Sequence, residues 1–119
     1  MKVDLNNQNQ QIFQAKVSQR FINSMRGYIN HGENRLQNNY KLTQKLEQYA
    51  SFGHDDYTVE MHQKEASSWY EYLLIAVRDG ETPDRGVVLA KTGSYKGIFK
   101  KFMKMRRWDF NHCFKQAGR

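Results

Sequence analysis

Apolar residues recur at three- and four-residue spacing along most of this chain, and each such run closes on a glycine. Ile12, Phe13, Val17, Phe21, Met25, Tyr28 and Ile29 form the first run, which stops by Gly32. Leu36, Tyr40, Leu42, Leu46, Tyr49 and Ala50 form the second, before Gly53. Met61, Trp69, Tyr72, Leu73, Ala76 and Val77 precede Gly80. Tyr95, Ile98, Phe99, Phe102, Met103, Phe110, Cys113 and Phe114 precede Gly118. A stripe at helical period followed by glycine marks a helix and its left-handed stop. The expected fold is therefore mainly α, a compact bundle of about four helices.

The third run carries an alternative. Trp69 to Val77 is apolar on both faces, as a buried strand would be, and could pair with Gly86 to Lys91 across the turn Thr82-Pro83-Asp84-Arg85-Gly86. Good helix formers in Glu60 to Ser68 favour helix up to Arg78, with a small β-hairpin around residues 69–91 as the other reading.

At 119 residues, residues 1–119 are expected to form a single domain. Seven Tyr, seven Phe and two Trp supply large buried areas to a chain otherwise modest in apolar content. The amide-rich start, Asn6 to Gln11, makes residues 1–10 a frayed end. Met1 to Gln11 is polar, without the apolar stretch of a signal peptide or anchor. The longest apolar run, Tyr72 to Val77, is too short to span a bilayer. A single cysteine, Cys113, forms no intrachain disulfide. These features point to a cytoplasmic protein without membrane partners.

Net charge is +7, and its distribution matters more than its size. Up to Ala90 the chain carries 10 Lys/Arg against 11 Asp/Glu; from Lys91 it carries 9 against Asp109 alone. A nearly neutral body with a basic C-terminal quarter suits a polyanionic partner. On a helical wheel, residues 94–117 form a basic amphipathic segment. Tyr95, Phe99, Phe102, Met103, Phe110, Cys113 and Phe114 gather on one side; Lys96, Lys100, Lys101, Lys104, Arg107 and Lys115 gather on the other. Arg106 falls on the apolar side, so it must snorkel, pair with a carboxylate or mark a break near Trp108. Trp108 lies among the cations.

Lysines and arginines contact phosphates, while an exposed indole offers a plate for an unpaired base. The expected function is non-enzymatic binding of RNA or single-stranded nucleic acid. Lys96, Lys100, Lys101, Lys104, Arg107 and Lys115 would hold phosphates and Trp108 would stack. Each piece has a plainer reading: the lysines as a solvated face, or Trp108 as core should a new helix start at Phe110 behind an Asp109 cap. The alternative function is a small inhibitor or adaptor, of the phage or mobile-element kind, with an anti-defence or toxin-neutralising role. Its basic face would dock on an acidic protein. A homodimer would double the basic footprint.

Catalytic chemistry has weaker support. His54, Asp55, Asp56 and His62 have metal-ligand types but no zinc-site spacing; a helix-entry loop capped by an Asp is the simpler reading. Gly86, Gly93 and Gly97 do not match a phosphate-binding loop. No metal and no cofactor is expected. A metal-free ribonuclease using His112 with Lys104 or Arg107 is the minor alternative, and Cys113 reads as a small core residue.

Overall fold

The computed structural model of the chain describes residues 16–65 and 69–119. The readings of residues 1–10, Ile12 and Phe13 lie outside them. Among the described residues, two helices precede a three-stranded antiparallel sheet and two helices follow it. No helix there is long and apolar enough to cross a membrane.

Helix α1 (Gln19–Asn30) starts behind Ser18, whose Oγ accepts the Phe21 N–H at 3.2 Å and satisfies one open donor of the first turn. It does not run back through Val17, which is drawn into a parallel bridge with Val59, with the Ser18 N–H donating to the Val59 carbonyl at 2.8 Å. Phe21, Ile22, Met25 and Ile29 form its buried stripe. Helix α2 (Arg35–Ala50) buries Leu42, Lys45, Leu46 and Tyr49, while Leu36 and Tyr40 stay exposed.

After α2 the chain reverses through Gly53 at φ +93° and His54 at φ +56°. A left-handed residue is easy for glycine and strained for histidine. Buried Lys16 pins this turn: Nζ donates to the carbonyls of Gly53 and His54, the latter at 2.8 Å, and lies 3.4 Å from an Asp55 oxygen. The His54 ring stacks on Phe114 at 3.8 Å. Asp55 and Asp56 therefore do not cap a helix; they lead into a strand, with Asp56 accepting from Arg78 at 3.0 Å.

The expectation of a helical bundle fails in the middle of the chain. Strand β1 (Tyr57–Glu65) pairs antiparallel with β2 (Tyr70–Arg78), and β2 pairs with β3 (Val87–Thr92). The protein is mixed α/β, and a hairpin over 69–91 leaves out a whole strand. Two physical facts explain the error. Tyr57, Val59 and Met61 alternate with Thr58, Glu60 and His62, a strand period that the helix formers Glu60, Gln63, Lys64 and Glu65 obscured. Leu74, Ile75, Ala76 and Val77 are all buried, so β2 is covered on both faces along this stretch and its alternation is erased.

Pairing slips between Leu74 and Ile75: Leu74 faces Ala90 and Ile75 faces Val88, so Leu89 is the extra residue of a bulge. Leu89 is buried with Val87, Val59, Leu74 and Ala76 in the core shared with the helices. Tyr49 sits at its centre, fully buried, stacked on Phe102 at 4.3 Å and 6°, with its hydroxyl donating to the Phe102 carbonyl at 2.9 Å. Burial pushes the Tyr49 phenol well above its ordinary pKa, so it stays a neutral donor.

The C-terminal segment is two helices rather than one. Helix α3 (Tyr95–Lys104) ends at Met105, and α4 (Arg107–Gln116) begins behind Arg106. Met105 and Arg106 are extended, with ψ of 128° and 166°. The Asp109 carboxylate accepts the Arg106 N–H at 3.1 Å and its Nε–H at 3.2 Å. Met105 and Phe110 are both buried in the core, at the positions of a hydrophobic staple. A continuous helix would have turned Arg106 into the core; the break leaves it exposed beside its carboxylate.

Candidate nucleic-acid interface

Helix α3 is built from its cap outward. Ser94 Oγ accepts the Gly97 N–H at 3.0 Å, and Ile98 and Phe102 anchor the helix with full burial. Those two anchors fix the rest of the wheel. Lys96, Lys100 and Lys104 share one exposed line at four-residue spacing, and Lys101 stands exposed on one flank. Helix α4 is anchored by Phe110 and Phe114, which leaves Arg107, Trp108 and Lys115 exposed.

Trp108 is 67% exposed, so the reading that buried it in the core does not hold. One face of its indole is occupied by the His112 ring, parallel within 8° at 4.8 Å, one helical turn along α4. Two open hollows meet at this stacked pair. One, of about 330 Å³, is lined by Lys101 and Lys104 from α3, Met105 from the break, Leu89 from β3, and Trp108, Asp109, His112 and Cys113 from α4. The other, of about 650 Å³, is lined by Arg107, Trp108, Asn111, His112 and Lys115.

Five of the seven expected contact residues thus meet around the indole: Lys101, Lys104, Arg107, Lys115 and Trp108 itself. Lys96 and Lys100 line neither hollow and continue the charge along α3. Arg107 is partly committed, because Nη2 donates to the Ser51 carbonyl at the end of α2. His112 and Asn111 were not among the expected contacts; the four-residue spacing from Trp108 to His112 is the signal that points to a stacked pair.

Hydrogen bonds from Arg106 hold the Asp109 carboxyl below the usual carboxylate range, so the one acidic group in the first hollow is ionised. Its charge is paired with Arg106 and leaves the lysines opposite in excess. Cys113 is half-buried; burial pushes its thiol up, and Sγ lies 3.8 Å from the Leu89 carbonyl, which fits a packing residue.

Elsewhere, a hollow of about 500 Å³ between α1 and β1 is lined by Ser18, Arg20, Ser24, Glu60, His62 and Gln63 among others. Its ionisable groups are of both signs, and His62 is paired with Glu60, so it lacks the excess of cations a polyanion requires. Among the described residues no group of three or more His, Cys, Asp or Glu side chains is placed to hold a metal ion. No protein-family model matches the chain, and no curated protein or solved structure is significantly similar to it.

Proposed function

We propose that this protein is a non-enzymatic, cytoplasmic nucleic-acid-binding protein that takes an unpaired strand, RNA or single-stranded DNA, on the surface formed by α3 and α4. One observation carries the reading: an indole 67% exposed, backed by a parallel imidazole, between hollows walled by Lys101, Lys104, Arg107 and Lys115. Leaving an indole in water wastes apolar area that folding would otherwise use. A base on its free face recovers that area, and the surrounding cations meet the phosphates on either side. Duplex DNA offers phosphates but keeps its bases stacked on one another, so it gains nothing from Trp108.

Fluorescence anisotropy with labelled single-stranded RNA, single-stranded DNA and duplex, across a salt series, tests this. Single strands bind more tightly than duplex, with a steep salt slope. Lys101→Gln with Lys104→Gln reduces the slope by about 1.4, since each phosphate contact contributes about 0.7 on a single strand. An unchanged slope, or no binding at low salt, refutes the assignment and turns attention to an acidic protein as the occupant of the same face.

A further inference from the structure

The lysines that lie outside the two hollows point to a longer binding path, an inference that rests on the reading above. Ile98 and Phe102 define the buried side of α3, and Lys96, Lys100 and Lys104 run along its opposite, solvent-facing crest. Successive lysines on that line are separated by about 6 Å of helical rise. That repeat is close to the reach of one nucleotide in an extended strand. The crest has an aromatic flank at each end. Its C-terminal end faces Trp108 across Lys101 and Lys104. Toward the N-terminal end, Tyr95 and Phe99 lean the other way, onto Tyr28 of α1, with ring centroids at 5.6 Å and 5.4 Å. Tyr28 remains 41% exposed within that cluster.

We propose that a single unpaired strand runs along α3 from Trp108 to Tyr28. Lys104, Lys100 and Lys96 take three successive phosphates, and Tyr28 is a second stacking plate. Three phosphates join four nucleotides, so the footprint is about four nucleotides. The occupant is argued from charge: three cations in register, with no carboxylate between Lys91 and Arg106, match a polyanion with a regular repeat. Tyr95 and Phe99 hold the Tyr28 ring in place, so little ordering is needed when a base arrives.

The test is anisotropy with labelled oligouridylates and oligothymidylates of two, three, four, six and eight nucleotides. Affinity climbs steeply to about four nucleotides and only shallowly beyond. Tyr28→Leu keeps apolar packing against Tyr95 and Phe99 but removes the π face. It weakens the six-mer by at least about fivefold, the lower end of one lost stacking contact, and leaves the two-mer unchanged. Tyr28→Phe binds as wild type, and a urea midpoint for each variant separates loss of binding from loss of fold. Should wild type bind none of these strands, the nucleic-acid reading itself falls. Should it bind with an affinity already level at two nucleotides, or should Tyr28→Leu weaken both lengths alike, the path along α3 is refuted while the Trp108 site stands.

Discussion

Trp108→Ala separates a binding residue from a folding one, because the structure assigns the two roles different magnitudes. Only about a third of the indole is covered, since the residue is 67% exposed. A fully buried aromatic removes about 150–250 Å² from water. A third of that is about 50–80 Å², which at about 25 cal/mol per Å² amounts to about 1–2 kcal/mol. Loss of the parallel His112 contact belongs within the same range, since the ring is what covers that face. The variant should therefore remain folded, with a urea midpoint lowered modestly and an unchanged m-value. Binding should respond more strongly and selectively. One lost stacking contact is about 1–3 kcal/mol, or about 5- to 150-fold in Kd for a single strand, with little change for duplex. The assay pairs urea unfolding followed by circular dichroism with anisotropy on a single-stranded hexamer and a duplex. A stability loss above about 3 kcal/mol would show that Trp108 is structural. Equal weakening of hexamer and duplex would show that the indole does not stack.

Two further predictions concern the scaffold that holds the site. Tyr49→Phe removes the 2.9 Å donation to the Phe102 carbonyl near the end of α3 while leaving the stacked ring in place. It should cost about 1 kcal/mol in urea unfolding, and no change would mean the bond contributes nothing. Lys16 has its pKa lowered, chiefly by burial and only partly offset by Asp55. The unfolded chain therefore binds more protons than the native one between the lowered value and 10.5, and native stability rises with pH across that window. Lys16→Met leaves the Gly53 and His54 carbonyls short of a donor and should be less stable at pH 7.5 by about 1–3 kcal/mol. The gap between wild type and variant should widen toward pH 10; a gap that narrows would mean that pairing with Asp55 outweighs desolvation.

The helices were legible in the sequence where burial on one side left a clean stripe. Phe21, Met25 and Ile29 in α1, and Leu42, Leu46 and Tyr49 in α2, could be read directly, because each packs inward while its neighbours meet water. The sheet was legible only in part: the hairpin reading of residues 69–91 matches the pairing of β2 with β3, and β1 was missed. β2 is buried on both faces over Leu74 to Val77, and β1 is an outer strand whose exposed end, Gln63 to Glu65, is written in helix-forming residues. Local propensity and tertiary burial disagree there, and burial wins. Leu36 and Tyr40 fit the α2 period yet are 90% and 64% exposed, since spacing cannot tell which turns of a helix have anything to pack against.

The misplaced helix end has the largest consequence for the site. A single helix over residues 95–115 would carry Lys101, Lys104 and Trp108 along one rod, as a convex row of side chains. The two extended residues Met105 and Arg106 interrupt that rod, and Trp108 on α4 lines one hollow together with Lys101 and Lys104 on α3, Met105 and Leu89. Arg106 was the sign of this break, the one cation that a continuous wheel would have driven into the core. Its pairing with Asp109 fixes the break, and beyond the break Trp108 and His112 of α4 share the lining of one hollow with Lys101 and Lys104 of α3. Under the proposed function, that arrangement would let a base stack on the ring while its phosphates meet the lysines that line the same hollow.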